Sequence, residues 1–211
     1  MITIFKQRFS KKHQLHISTL STASNSIYYF GYGANLDPDF FKKRVPSFDQ
    51  IGPASLEGYE FLFNTPCEYK SKGYGGIQKC SDSIVHGYLY SISKPVLNLL
   101  DSLEWVDFNF YSREQLQVTC NGQNFQAQVY VPVHPRNDLL APQGYKNLII
   151  AGAEKLNLPA DYVDHLKKLP AKSNFELDNS FNLSNPGQPR LLPARFYYYH
   201  DLLREKLCEL I

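Results

Sequence analysis

Two extended stretches joined by Asn121-Gly122 constrain the fold of this chain more than any other feature. In the second stretch every other residue is apolar: Phe125, Ala127, Val129 and Val131. An Asn-Gly pair between extended stretches favours the two-residue turn of a β-hairpin, because both residues accept a positive φ. We therefore predict antiparallel strands over Tyr111–Cys120 and 123–131.

Other segments show the periods of strands and of helices. Runs rich in β-branched and aromatic residues predict further strands at 27–33, 56–64 and 84–92. Helices are predicted where apolar residues recur every three or four positions. They cover a short segment from an Asp37 N-cap through Arg44, then Lys94–Leu103, 145–156, 160–169 and an amphipathic stretch at 199–210.

This order of elements indicates the fold class. Strands are interrupted by single helices, and one hairpin is tight, which favours an α+β domain. We expect a mixed, partly closed β-sheet or barrel with flanking helices, plus a C-terminal helix. Too few helices separate the strands for a doubly wound parallel sheet.

The 211 residues suffice for one substantial domain with appendages. Residues 1–26 include Lys6, Arg8, Lys11 and Lys12 but no acid, which predicts a flexible basic tail; an organelle-targeting segment is the alternative. Residues 27–170 form the predicted domain. Residues 171–211 are predicted to be a polar linker, rich in Asn, Ser and Pro, and a C-terminal helix docked on the domain.

Composition argues against several classes of partner. A net charge of +2 is too small to indicate a nucleic-acid or membrane partner. No apolar run approaches the roughly 20 residues that span a bilayer. The four cysteines form no Cys-x-x-Cys pair and the six histidines no His-Glu-x-x-His motif, so we expect reduced thiols, a cytoplasmic location and no metal.

The stretch YYFGYGANLDPDFF at 28–41 reads as a strand, a glycine turn and the start of a helix. Gly31-x-Gly33 resembles the opening of a dinucleotide fingerprint, but Leu36 replaces its third glycine. A smaller anion can be bound by the amide groups of such a turn. The alternative is that both glycines only permit a tight turn beneath a packed strand.

Several segments within 27–170 resemble, in order, motifs of the γ-glutamyl cyclotransferase (AIG2-like) family. GYGANL resembles its Tyr-Gly-x-Asn-Leu signature, and Leu100-Asp101-Ser102-Leu103-Glu104-Trp105-Val106 resembles its Leu-Asp-x-x-Glu-Gly-Val motif. Further matches are RVPS at 44–47, GPASLEGY at 52–59, YGGI at 74–77, VHGYLY at 85–90, PQGY at 142–145, AGA at 151–153 and LP at 158–159.

The resemblance implies a cofactor-independent lyase or acyltransferase-type cyclisation. The α-amine of a γ-glutamyl substrate attacks its own γ-carbonyl, which releases 5-oxoproline and a free amine or amino acid. Glu104 is then the general acid and base. Substrate binding is assigned to Tyr32, Gly33, Ala34, Asn35, Leu36, Gly75, Gly76, Tyr111 and Tyr145. The implied partner is a small γ-glutamyl substrate, and the protein is expected to be a monomer or a homodimer.

Two positions depart from the family pattern. Ala34 stands where the family usually has Ser, so a hydroxyl is lost while the backbone donors remain. Trp105 stands where the family usually has Gly, directly after Glu104. Two alternatives therefore stay open: a cyclotransferase for glutathione or another γ-glutamyl conjugate, and a non-catalytic module that binds a small ligand or a partner.

Overall fold

The structure is a computed structural model that describes residues 26–67 and 72–172. Most of the predicted N-terminal tail lies outside the described residues, as do the C-terminal helix and all but the first two residues of the predicted linker. Those two residues, Ala171–Lys172, form a short strand, β7, that pairs in parallel with Ala141–Pro142, β6.

Five strands form a closed barrel, as predicted for the domain. They are β1 (Ile27–Gly31), β2 (Asp49–Cys67), β3 (Lys72–Ile92), β4 (Tyr111–Cys120) and β5 (Gln123–Pro132). Their order is β1-β3-β2-β4-β5, and parallel pairing of β1 with β5, Tyr28 opposite Ala127, closes the ring. The other strand pairs of the barrel are antiparallel, so the sheet is mixed.

The sequence predicted only parts of β2 and β3, which are 19 and 21 residues long: residues 56–64 within β2 and the C-terminal end of β3, residues 84–92. Their register shifts at three places, one of them between Glu57 and Tyr59. Gly58 lies at that shift with a φ of 76°, in the left-handed region that a side chain disfavours. Such bulges bend a strand, and bending allows strands of this length to wrap around a barrel.

The hairpin prediction is confirmed. Cys120 pairs with Gln123, and the two residues between them, Asn121 and Gly122, have φ values of 51° and 73°. Two consecutive positive φ angles are the requirement of a type I′ turn, which explains the Asn-Gly pair.

The helices also follow the predictions closely. They are α1 (Pro38–Arg44), α2 (Lys94–Leu103), α3 (Gln143–Lys155) and α4 (Ala160–Lys168). The Asp37 carboxylate accepts a hydrogen bond of 3.0 Å from the Asp39 amide, which makes it the N-cap of α1. One boundary was wrong: the first strand ends at Gly31 instead of residue 33, since the chain turns there into a 3₁₀ helix at Ala34–Leu36.

The two faces of the strands pack against different helices. One face, with Phe30, packs against α3 and α4 through Ile149 and Leu166. The other face, with Tyr29, packs against α1 and α2 through Phe41 and Leu100. Neighbouring residues of β1 thus serve opposite faces, as the alternation of a strand requires.

We predict that Gly87→Ala destabilises the barrel where β1 meets β3. A Cβ atom at Gly87 would lie 2.3 Å from the Gly31 carbonyl oxygen, so the backbone of β1 would have to move. We expect a loss of about 1–3 kcal/mol in the free energy of unfolding, measured by urea denaturation. The matched control is Gly144→Ala in the first turn of α3, where a Cβ atom meets nothing within 4 Å. It should leave stability unchanged or raise it by up to about 1 kcal/mol, and equal effects of both substitutions would contradict this account.

Candidate active site

The turn after β1 is built by a close approach of backbone to backbone. A Cβ atom at Gly31 would lie 2.6 Å from the Asn35 carbonyl oxygen, so only glycine fits there. The Leu36 amide donates to the Gly33 carbonyl at 3.0 Å, which forms the first bond of the 3₁₀ helix. The amides of Ala34 and Asn35 precede that bond and have no acceptor within the helix. The turn therefore presents consecutive N–H donors.

The turn is joined to Glu104 by an arginine. Arg44, the last residue of α1, donates from Nη1 to Asn35 Oδ1 at 2.7 Å and to Glu104 Oε1 at 2.9 Å. The Asn35 side chain in turn donates to the Tyr29 hydroxyl at 2.8 Å. Asn35 and Glu104 are only 6 % and 8 % exposed, so this network lies inside the protein.

Glu104 is held at the end of α2. Its amide donates to the Leu100 carbonyl at 2.8 Å, and it is the C-cap of the helix. The sequence left open whether this glutamate is solvated beyond the helix. Its burial beside Arg44 shows that the carboxylate is instead withdrawn from solvent and paired with a cation.

Tyrosines brace the other predicted site residues. The Tyr111 hydroxyl donates to the Gly75 carbonyl at 2.7 Å, and the Gly75 amide donates to the Tyr145 hydroxyl at 3.3 Å. A Cβ atom at Gly33 would lie 3.4 Å from that Tyr145 hydroxyl. The structure thus brings the glycine turn, Gly75, Tyr111 and Tyr145 together from four separate segments.

Burial keeps two of the site tyrosines neutral. It raises the pKa of Tyr29, and the negative charge of Glu104 raises it further. The pKa of Tyr32 is also raised, first by burial and then by Tyr111 and Glu104. The Tyr32 hydroxyl donates to the Tyr130 carbonyl. A hydroxyl that donates its proton in this way can still accept a hydrogen bond from a ligand.

Gly76 and Leu36, both predicted to bind substrate, face protein side chains. A Cβ atom at Gly76 would lie 2.1 Å from Asn64 Oδ1, so Gly76 faces side chains of β2. At the neighbouring Gly75, by contrast, a Cβ atom would lie 3.1 Å from the hydroxyl of the site residue Tyr145. Leu36 is fully buried in the core. Their assigned contacts with substrate stay predictions, and so does that of Ala34.

Trp105 has a backbone conformation that explains the glycine of the family motif. Its φ of 56° and ψ of 43° lie in the left-handed region, where glycine has no steric penalty. The side chain is 8 % exposed, and its ring centroid lies 5.2 Å and 5.6 Å from those of Phe108 and Phe110. Packing of the indole therefore accompanies a strained backbone directly after Glu104.

No site role was predicted from the sequence for Arg44 or Tyr29. Arg44 lies in the RVPS segment, whose resemblance to a family motif could have marked it as a site residue. Its position in the sequence, far from Glu104, does not indicate that the two side chains are in contact. Within 26–67 and 72–172, no group of three or more His, Cys, Asp and Glu side chains could hold a metal ion. No helix in this part of the chain is long and apolar enough to cross a membrane.

Comparisons with known proteins decide the family. Residues 84–166 match the AIG2-like family. Human γ-glutamylcyclotransferase is 30 % identical to this chain over 149 residues, which are 68 % of this chain and 79 % of the human protein. This chain belongs to the γ-glutamyl cyclotransferase family. The putative γ-glutamylcyclotransferase YkqA of Bacillus subtilis is 29 % identical over 163 residues, 75 % of this chain and 56 % of YkqA.

Solved structures share the fold of this chain. A γ-glutamyl cyclotransferase superposes with a TM-score of 0.66 at 24 % identity, over 71 % of this chain and 91 % of that one. An uncharacterised human protein gives 0.65 at 25 % identity, over 71 % and 90 % of the two chains. The family and the α+β barrel predicted from the sequence are both confirmed.

We predict that Trp105→Gly destabilises the protein although it relieves the backbone. Glycine removes the steric penalty of the left-handed conformation, which stabilises the protein by roughly 1–2 kcal/mol. Loss of a buried indole costs about 3–5 kcal/mol, so the packing term wins and the free energy of unfolding should fall by about 2 kcal/mol.

The matched control is Asn109→Gly. Asn109 has a φ of 57°, nearly that of Trp105, but it is exposed. We expect its free energy of unfolding to change by less than about 0.5 kcal/mol in the same denaturation experiment. Greater stability of Trp105→Gly than of the native protein would show that backbone strain outweighs packing.

Proposed function

We propose that this protein is a γ-glutamyl cyclotransferase that converts a γ-glutamyl amine or amino acid into 5-oxoproline and the free amine or amino acid. The observation that carries the proposal is the position of Glu104. This buried carboxylate is linked through Arg44 to the turn that carries the family signature. Membership of the family supports the same activity.

The reaction rearranges bonds within one molecule. The substrate α-nitrogen forms a bond to the γ-carbon, and the bond from that carbon to the leaving nitrogen breaks. One proton leaves the α-nitrogen and one is gained by the leaving nitrogen, so no water or cofactor is consumed. Because nucleophile and electrophile are already joined, the protein mainly has to fold the substrate, move a proton and stabilise the oxyanion.

Glu104 is the residue we assign to the proton transfers. An α-amine has a pKa near 8, so about a tenth is uncharged at neutral pH, and exposing the nucleophile costs roughly 1.4 kcal/mol. An ionised carboxylate can bind the ammonium group, accept its proton and return it to the leaving nitrogen. General acid–base catalysis of this kind contributes about 10²–10⁴ in rate.

The turn and its tyrosines are assigned to substrate binding. Consecutive amides at Ala34 and Asn35 suit the substrate α-carboxylate or the oxyanion of the attacked carbonyl. The Tyr32 hydroxyl donates its hydrogen bond to the Tyr130 carbonyl. Its oxygen is therefore suited to accept a hydrogen bond from the substrate α-ammonium group. Tyr111 and Tyr145 fix Gly75 on the other side of the turn.

The leaving group and the setting are further parts of the proposal. A structure of a glutathione-specific cyclotransferase from yeast shares the fold with a TM-score of 0.50 and 12 % identity, which leaves glutathione as a second candidate substrate. We place the reaction in the cytoplasm, on a small γ-glutamyl substrate and with no nucleic acid or membrane as partner. Free thiols at Cys80 and Cys120 are compatible with a reducing compartment.

We predict that Glu104→Gln lowers the rate of 5-oxoproline formation by about 10²–10⁴, since the amide cannot accept the proton. The assay offers γ-glutamyl-alanine, ε-(γ-glutamyl)-lysine and glutathione in separate reactions and measures 5-oxoproline. The control Glu57→Gln changes an exposed glutamate of β2 in the same way and should keep native activity.

Each outcome of this assay has a definite reading. The substrate that gives the highest kcat/KM with the native protein identifies the leaving group. Native product formation that persists in Glu104→Gln would remove Glu104 from the mechanism. No 5-oxoproline from any of the three substrates would favour the non-catalytic binding module.

A further inference from the structure

We propose that Arg44 is a positioning residue of this site: its guanidinium fixes the Glu104 carboxylate relative to the glycine turn and compensates its negative charge. The inference rests on the proposed function for its catalytic meaning. Its structural basis is the pair of hydrogen bonds from one nitrogen, Nη1, to Asn35 Oδ1 and Glu104 Oε1.

Burial distinguishes this ion pair from the surface pairs of the protein. The side chains of Arg44 and Glu104 are 12 % and 10 % exposed. The ion pair of Lys155 with Asp39 joins side chains that are 48 % and 76 % exposed, and such a pair contributes little. Removing one partner of a buried pair leaves an uncompensated charge, which is costly.

The contact also fixes how the turn is oriented. A guanidinium can only donate, so the oxygen of Asn35 must face Arg44 and its amide nitrogen must face the Tyr29 hydroxyl. The turn continues through Asp37, the N-cap of α1, and Arg44 ends the same helix. Helix α1 therefore begins at the turn, and the last residue of the helix contacts the turn again.

Charge gives Arg44 its second task. A buried carboxylate without a cation favours the protonated form, and a protonated Glu104 cannot take a proton from the substrate. Titratable groups that interact with Glu104 include Arg44 from α1, Tyr29 from β1, Tyr32 from the turn and Tyr130 from β5. The tyrosine pKa values are all raised, so among these groups the positive charge comes from Arg44.

The test compares Arg44→Met, which removes the charge and the donors, with Arg44→Lys, which keeps the charge and one nitrogen. We expect kcat of Arg44→Met to fall about 10²-fold while KM changes less than about threefold, because misplacement of the acid–base group affects the reacting state. Arg44→Lys should recover at least tenfold in kcat.

The control is Lys155→Met, which removes a cation that contacts Asp37 and Asp39 near the start of α1. It should leave kcat and KM unchanged. Thermal melting of each variant shows whether it is folded at the assay temperature. If Arg44→Met is unfolded there, Arg44→Lys takes its place in the comparison with the native protein.

A second measurement separates this inference from the proposed function. Crystal structures of the native protein, Arg44→Met and Arg44→Lys give the position of the Glu104 carboxylate relative to Asn35. We expect that carboxylate to lie about 1 Å or more from its native position in Arg44→Met, a displacement large enough for the 10²-fold loss, and closer to its native position in Arg44→Lys.

This readout needs no turnover. Failure to form 5-oxoproline would overturn the proposed function, whereas the crystal structures would still test Arg44. An unchanged position of the Glu104 carboxylate in Arg44→Met would overturn the role of Arg44, whatever the activity.

Discussion

A carboxylate can stay ionised in a nearly closed site only if a cation or several donors compensate its charge. In this protein that condition is met by Arg44, 2.9 Å from Glu104, and the same arginine nitrogen holds Asn35 of the glycine turn. The interaction thus combines two requirements of a cyclisation site: a basic group that is ready to accept a proton, and a fixed distance between that group and the amides that bind the substrate. If either requirement is not met, the turn can still bind substrate but the cyclisation is not catalysed.

The barrel supplies the frame for this contact. Gly87 lets β3 approach β1 closely, and Gly31 lets the turn close onto Asn35. The parallel pairing of β1 with β5 places Tyr130 where its carbonyl accepts a hydrogen bond from the Tyr32 hydroxyl. Helix α2 ends at Glu104, and Trp105 reverses the chain in a left-handed conformation. The site is therefore assembled from the ends of elements, while the interiors of those elements form the core.

Local signals explain which parts of this architecture could be predicted from the sequence. The hairpin followed from Asn121-Gly122, helix α2 from its apolar spacing, and Glu104 from a motif. The full lengths of β2 and β3 could not be predicted, since bulges interrupt the alternation on which strand prediction depends. The contact of Arg44 with Glu104 joins residues 60 positions apart. It depends on the placement of α1 and α2 against the same face of the barrel, which no local pattern reveals.

The central claim is that Glu104 and the glycine turn contact the same substrate molecule from two sides. The most direct measurement is a crystal structure of Glu104→Gln with uncleaved γ-glutamyl-alanine bound. The account predicts the substrate α-nitrogen within about 3.2 Å of the side chain at position 104, with the α-carboxylate or the γ-carbonyl oxygen on the amides of Ala34 and Asn35. A substrate bound away from the turn, or with its α-nitrogen out of reach of that side chain, would contradict it.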